Sequence, residues 1–237
     1  DVCSSDLSQL ILCIMKTGKI HNFTLDSPKN TEALRKFHNW IKLQLILDAS
    51  NKTNAVSLLD IAVGRGGDLN KWTRAKIKYI TGIDSDGDAI FGKNETVGFD
   101  GAIARFQGLK KSGRYVPKSF FWKMSALDPD ILSKLNNKDS NKSYDIVSCQ
   151  FAFHYFIDQI DHVLSVISVK LRKGGLFIGT TSDGDIIKKN LDNGDILLPI
   201  LSIVNKTDKE YIYHLNADQP GRVSFFEYKG TISEYFV

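Results

Sequence analysis

The sequence has no apolar run near the roughly 20 residues that a membrane-spanning helix requires; its longest, Leu10 to Met15 and Ile196 to Val204, fall well short. No membrane partner is expected. Cysteine is scarce too. Cys3, Cys13 and Cys149 are odd in number and far apart, which makes neither a disulfide framework nor a zinc site of paired spacing, so an intracellular, reducing compartment and no metal are expected. No initiator methionine precedes Asp1-Val2-Cys3 and no basic segment leads into an apolar one, which suits a fragment of a longer polypeptide. Repeats, low-complexity tracts and long linkers are missing as well, so a single domain is expected. What is present is ordinary for a globular chain: 237 residues, 42% hydrophobic and 24% charged, enough for a sizeable core. Lys plus Arg exceed Asp plus Glu by 31 to 27, a net charge of +4 that is a mild hint of an anionic partner.

After Pro28, the apolar positions Leu34, Phe37, Ile41 and Leu45 recur at three- and four-residue steps, widened by Trp40 and Leu47, which predicts an amphipathic helix ending near Asn51 to Asn54. Val56 to Ala62 reads as a buried parallel strand. The alternation continues: a helix after Asp68, a strand Tyr79 to Asp84, a long helical stretch carrying Ile90, Ile103 and Phe106, a strand near Phe120 to Met124, and a strand Tyr144 to Phe151. A helix from Asp161 to Leu171 follows, with Val163, Leu164, Ile167 and Leu171 on one face, and Lys173-Gly174-Gly175 turns into a strand Leu176 to Thr181. Such alternation predicts an α/β fold, a mostly parallel sheet with helices on both faces. Past residue 195 the runs Glu210 to Leu215, Val223 to Tyr228 and Ile232 to Val237 predict an antiparallel portion closing one edge. Gly92 to Gly101 and Asn136 to Ser143 read as exposed loops.

In such a sheet the ligand crevice lies at the carboxyl ends of the strands. The first strand runs into Asp60-Ile61-Ala62-Val63-Gly64-Arg65-Gly66-Gly67-Asp68, whose glycines permit a tight turn and close approach of a ligand to the backbone. A dinucleotide fingerprint, G-x-G-x-x-G, fails here: counting from Gly64, the last position is Leu69, and Asp68 sets a carboxylate where a pyrophosphate would lie. The charge suits an ammonium instead, as in the methionine part of S-adenosylmethionine (AdoMet). Asp84, 24 residues after Asp60, is placed to accept hydrogen bonds from both ribose hydroxyls of an adenosine; the competing role is a helix N-cap, for which Asp84 or Asp86 serves equally.

The run Tyr144-Asp145-Ile146-Val147-Ser148-Cys149-Gln150-Phe151-Ala152-Phe153-His154-Tyr155 resembles the mRNA cap (guanine-N7) methyltransferases. Support follows in chain order from Asn39-Trp40-Ile41-Lys42, Leu59-Asp60-Ile61 through Asp68-Leu69, Gly82-Ile83-Asp84, Gly174-Gly175 through Thr181, and Glu234-Tyr235-Phe236-Val237. The resemblance covers nearly everything after Thr31, and implies a Rossmann-like class I AdoMet-dependent methyltransferase domain over residues 31–237 behind an N-terminal extension, residues 1–30.

It further implies roles for single residues. Lys42 would meet the cofactor's carboxylate, with Ala62, Gly64 and Asp68 around the methionine moiety, Asp84 on the ribose and Gln150 facing the cofactor. At the third strand the family has an Asp for the adenine and this chain has Ser125-Ala126, whose hydroxyl and backbone N–H groups would stand in. Phe151 and Tyr155 would pack around the guanine, with His154 against the base or nearby sugar, and Glu234 would accept from guanine N1–H and the N2 amino group. His38 takes a cap-binding position where the family often has Asn. Arg65 and Arg105 would meet the triphosphate. Lys71, Arg74, Lys110, Lys111 and Arg114 are further cations in the region, and Lys110-Lys111 reads as a solvated face.

Guanine N7 has an in-plane lone pair and needs no base. The implied reaction is therefore in-line transfer of methyl from AdoMet, leaving S-adenosylhomocysteine, with His154, Tyr155 and Glu234 positioning the cap. The implied substrate is a GpppN-capped RNA 5' end. Triphosphatase and guanylyltransferase domains of the same polypeptide are implied partners if the source is a large DNA virus. The compartment would then be host cytoplasm or virion, and for a cellular enzyme the nucleus. A non-catalytic AdoMet-fold module that binds capped RNA or stimulates a capping complex, and a small-molecule methyltransferase, stay open as alternatives. A ribose 2'-O-methyltransferase would need a lysine-centred base set, which the sequence does not assemble.

Overall fold

The computed structural model describes residues 32–92, 101–113, 115–197, 201–215 and 231–235. The expected N-terminal extension, Arg114 and the expected strand Val223 to Tyr228 lie outside them. The chain begins with helix α1 (Glu32–Thr53), then β1 (Ser57–Ile61), α2 (Leu69–Arg74), β2 (Tyr79–Asp84), α3 (Gly87–Phe91), α4 (Ala102–Lys111) and β3 (Lys118–Lys123). It continues through α5 (Ile131–Lys138), β4 (Tyr144–Gln150), a 3-10 helix (Phe153–Gln159), α6 (Ile160–Lys170), β5 (Leu171–Thr180) and α7 (Gly184–Leu191).

Strands β1 to β5 form a wholly parallel sheet in the order β3-β2-β1-β4-β5. The order reverses between β1 and β4, where a doubly wound sheet opens its ligand crevice. Alternation along the strands splits the core in two. Leu58 and Ile80 point to one face, with Ile46 and Ala49 of α1, Trp72 of α2 and Ile90 of α3. Leu59, Ile61 and Ile83 point to the other, with Ile131 and Leu135 of α5 and Val163 and Ile167 of α6. Most of these are fully buried, each worth roughly 1.5–3 kcal/mol of transfer free energy.

Several expectations change. In α1 the buried face is Lys42, Leu43, Ile46, Ala49 and Ser50, while Phe37, Ile41 and Leu45 are half-buried and Trp40 is exposed. The helix is turned so that one lysine enters the interior, which an apolar stripe cannot announce. In α6 Leu164 is exposed and Val166 takes its place; Leu171 opens β5. That strand runs through Lys173-Gly174-Gly175, its register shifting between Tyr144/Leu171 and Ile146/Leu176, with Gly174 at φ 76° as a bulge needs. Asn136 to Ser143 is only partly a loop, since α5 reaches Lys138 and Asp139 is buried.

The C-terminal strands form a separate antiparallel sheet, β6 (Ile196–Leu197), β7 (Leu201–Asn205), β8 (Glu210–Leu215) and β9 (Thr231–Tyr235), in the order β6-β7-β8-β9. They do not close an edge of the parallel sheet. β9 runs beside the 3-10 helix that follows β4, so the second sheet stands over the carboxyl end of the first. No helix among the described residues is long and apolar enough to cross a membrane.

Candidate active site

The start of the loop after β1 is held by the tip of β2. Val63 N–H donates to Ile83 O at 3.0 Å, and Gly64 N–H donates to Asp84 Oδ2 at 2.7 Å. The other oxygen of Asp84 accepts Asp86 N–H at 2.9 Å. The helix cap is Asp86, whose side chain accepts Asp88 N–H, so of the two roles weighed for Asp84 capping is excluded. Burial raises the Asp84 carboxyl above its ordinary value, against the lowering by the Asp86 and Gly64 N–H groups. Gly64 and Gly66 take φ of 53° and 70°, and Ala62 takes 57°. That left-handed backbone is open to glycine and costs an alanine about 1 kcal/mol or more. Space is left beside the loop, because a Cβ added at Gly64 would meet nothing within 4 Å.

Beneath it lies a charge cluster that spacing alone did not reveal. Asp68 Oδ1 is 2.8 Å from Lys42 Nζ and 2.7 Å from Lys71 Nζ, and all three residues are buried. Lys71 also donates to Asn39 Oδ1 at 2.7 Å. Burial by itself would raise the Asp68 carboxyl, but the two lysines outweigh it and hold it below the usual carboxylate range. Asp60, fully enclosed and facing Asp68, has its carboxyl pushed well above that range by burial first and by the Asp68 charge second. One carboxylate with two ammoniums leaves an excess of positive charge, the setting that an amino acid's carboxylate needs. Lys71 was foreseeable: it lies three residues after Asp68 on the same helix face, as Asn39 lies three before Lys42.

On the other side of the crevice β4 ends at Gln150, and Phe151 turns the chain with φ 54°, a strained conformation for a bulky residue. The turn is tied to the end of β5: Phe151 N–H donates to Thr180 O at 2.8 Å and to its Oγ1 at 3.1 Å, and Thr180 Oγ1 donates to Gln150 Oε1 at 3.0 Å. Gln150 also donates to Ser148 Oγ at 3.1 Å. The ring of Phe151 lies 4.4 Å from that of His38, with Lys42 Nζ 5.9 Å from its centroid. Burial first and Lys42 second lower the His38 imidazole to about 4, so it is neutral at pH 7. The turn continues as the 3-10 helix rather than an extended segment. It buries His154 and leaves Tyr155 exposed, their rings 4.1 Å apart. Phe153 packs away from the crevice, on Phe177.

Ser125 and Ala126 follow β3 at the same end of the sheet, with the Ser125 hydroxyl accepting Leu127 N–H at 3.1 Å. Arg65 lies in the glycine turn. The first residue of α4, Ala102, abuts that turn at Gly66, and Arg105 is one helical turn further on. Glu234 lies on β9 opposite Tyr211, and its side chain is outside the described atoms. The structure thus brings Lys42, Ala62, Gly64, Asp68 and Asp84 together on one side, and His38, Gln150, Phe151, His154 and Tyr155 on the other. Among the described residues no group of His, Cys, Asp or Glu is arranged to hold a metal.

Residues 28–196 match the sequence pattern of the mRNA (guanine-N(7))-methyltransferase domain. The chain belongs to this family. It is 30% identical over 206 residues to a probable mRNA-capping enzyme of Acanthamoeba polyphaga mimivirus, covering 79% of this chain and 17% of that protein. It is 33% identical over 179 residues to mRNA cap guanine-N(7) methyltransferase 1 of Oryza sativa subsp. japonica, covering 73% and 46%. To mRNA cap guanine-N(7) methyltransferase 1 of Arabidopsis thaliana it is 36% identical over 165 residues, covering 67% and 41%. The chain spans less than half the length of these relatives. Among solved structures, an S-adenosylmethionine-dependent methyltransferase from Clostridium acetobutylicum ATCC 824 aligns with TM-score 0.48 and 17% identity, covering 94% of this chain and 80% of that one.

The family's methyl donor is AdoMet, and the crevice of this member fits it. The open space at Gly64 admits a ligand against backbone N–H groups, the acid at the tip of β2 has the acceptor chemistry for a ribose diol, and the lysine pair has the charge for a carboxylate.

Proposed function

We propose that the chain is a cap guanine-N7 methyltransferase acting on GpppN-capped RNA with AdoMet as methyl donor. The observation that carries this reading is the pairing, across one crevice, of the Lys42–Asp68–Lys71 cluster and the Gly64–Asp84 bridge with the His38–Phe151 and His154–Tyr155 ring pairs. One side has the chemistry of an amino-acid nucleoside and the other that of a flat base.

When bound, AdoMet supplies an electrophilic methyl on a sulfonium. In this reading Lys42 holds the cofactor's carboxylate, Asp84 accepts from the ribose hydroxyls, and Ser125 and Ala126 border the adenine. Ala62, Gly64, Asp68 and Gln150 wall the methionine end. His38, Phe151, His154 and Tyr155 orient the guanine, Arg65 and Arg105 meet the triphosphate, and Glu234 accepts the two donors of the guanine edge. No residue needs to remove a proton, because N7 presents a lone pair. The protein's work is to align and enclose. In the longer polypeptide that the relatives' lengths suggest, residues 31–237 would act as one methyltransferase domain beside triphosphatase and guanylyltransferase domains, in a reducing intracellular compartment.

The test is incubation with AdoMet and GpppN-capped RNA, then nuclease digestion and mass spectrometry; methyl on guanine N7 is expected, and methyl only elsewhere or none refutes the reading. Two variants separate the sides of the crevice. Asp84→Ala abolishes AdoMet binding by calorimetry, at some cost in stability, because two backbone N–H groups lose their acceptor. Glu234→Ala leaves AdoMet affinity nearly unchanged and removes N7 methylation.

A further inference from the structure

Two stretches of the sequence, residues 69–83 and 101–127, contain ten of the 31 Lys and Arg and none of the 27 Asp and Glu. The remaining residues therefore carry 21 cations against 27 acids, and the basic character of the chain resides in these two stretches. The fold lays them side by side, because β2 pairs with β3 over its whole length. At the amino ends of those strands Lys118 N–H donates to Lys78 O at 2.9 Å and Tyr115 OH donates to Ile77 O at 3.2 Å. Helix α4 starts against the glycine turn, where Ala102 abuts Gly66, packs on β3, and carries Lys110 and Lys111 in its last turn. Lys76, Lys78, Lys110, Lys111, Lys118 and Tyr115 are all exposed, and none of these lysines forms an ion pair among the described residues.

From this end a track leads to the crevice. Among the described residues β3 is the edge strand of the sheet, about 17 Å long at 3.3 Å per residue. Along it Phe120 and Trp122 stack with centroids 5.8 Å apart and planes at 17°. Lys118 Nζ lies 5.3 Å from the Phe120 ring, and Lys123, at the other end, sits in register with Asp84 of the crevice. Cations at both ends of a half-buried aromatic row are what a single-stranded nucleic acid meets on proteins that hold it without reading its sequence: charge for phosphates, rings for bases.

We propose that this edge, from Lys123 to the cluster around Lys78 and Lys118, is the docking surface for the RNA body downstream of the cap. It rests on the cap-methyltransferase reading for its connection to catalysis but not for binding itself. In this proposal Lys110 and Lys111, read from the sequence as a solvated face, belong to the phosphate-binding surface, because the helix that carries them packs on β3.

The test compares the chain with its Lys78→Ala/Lys111→Ala/Lys118→Ala variant on a 20-nucleotide uncapped RNA, by fluorescence anisotropy from 50 to 200 mM salt, and on methylation of the GpppA dinucleotide against a GpppA-capped 20-mer. Each lost phosphate contact removes about 0.7 from the slope of log affinity against log salt for a single strand, so the slope falls by about 2. By the same relation the KM for the capped 20-mer rises by up to about 100-fold at 0.1 M salt, while the KM for GpppA and the AdoMet affinity stay unchanged. Equal slopes and KM values in chain and variant overturn the proposal. So does displacement of the RNA by polyglutamate at equal charge concentration, which would point to an acidic protein as occupant. If the triple variant unfolds, Lys76→Ala/Lys110→Ala on the same surface carries the comparison. If the unaltered chain methylates neither substrate, the cap reading fails and the anisotropy arm alone judges the surface.

Discussion

Replacing Asp68 by Asn leaves two buried ammonium groups around a site that no longer carries charge. Lys42 Nζ and Lys71 Nζ lie 2.8 and 2.7 Å from the same oxygen, so they are at most 5.5 Å apart. At an effective dielectric of about 20 their repulsion is about 3 kcal/mol, until now offset by the carboxylate between them. Asp68→Asn therefore destabilises by about 3 kcal/mol, a fall in Tm of roughly 6–12 °C for a domain of this size, and weakens AdoMet binding. Asp68→Asn/Lys71→Met removes one of the two charges and is more stable than the single variant, although it carries one more substitution. Thermal unfolding by calorimetry reads both. The pH dependence adds a second check. Burial already lowers the Lys71 ammonium below its ordinary value, and Asp68 is the first influence opposing it; without that carboxylate the value falls further. The folded state then releases a proton that the unfolded chain still holds, so stability rises with pH between the depressed value and the ordinary one near 10.5. The deficit of Asp68→Asn narrows from pH 7 to 9.5. A double variant no more stable than the single, or a deficit constant with pH, refutes the reasoning.

Ala62→Gly relieves an alanine at φ 57° and raises Tm by about 2–4 °C; an unchanged or lower Tm shows that the left-handed backbone there carries no strain. At the opposite end of the sheet Asp139 accepts from the hydroxyls of Tyr79, Thr81 and Tyr144 and from Asn141 N–H. Burial would raise its carboxyl, but these donors prevail and hold it low. Its contribution is present above the ordinary carboxylate pKa and lost as pH falls through the depressed folded value. Asp139→Ala strands buried hydroxyls, costing about 3–5 kcal/mol and flattening the acid limb of the stability profile. Because Asp139 is remote from the crevice, AdoMet affinity measured by calorimetry below the variant's Tm is unchanged, and a loss there would mean the two ends of the sheet are coupled.

Much of the fold was legible because its signals are local. The apolar runs Leu58 to Ile61 and Ile146 to Cys149 are buried on both faces of the sheet, and a run buried on both faces looks alike wherever it is met. The spacing of Asp60, Gly64 and Asp84 was legible for the same reason: strand, turn and strand lie close in the chain, and their chemistry follows from that order. The resemblance carried by Tyr144 to Tyr155 offered residue roles that periodicity left open, while the turn after Phe151 is seen only in the structure.

What only the tertiary structure decided depends on contacts between distant segments. Lys42 is a polar position on a half-apolar helix until Asp68 and Lys71 of another helix enclose it. Phe151 adopts its left-handed turn because Thr180, 29 residues later, satisfies its N–H. The strands after residue 195 have the same local pattern whether they close the first sheet or build a second beside it, and only their pairing partners distinguish the two. The net charge of +4 belongs with these. Summed along the chain it is slight, but residues 69–83 and 101–127 hold ten cations and no acid, the pairing of β2 with β3 sets the two stretches side by side, and a polyanion responds to the local field rather than to the total.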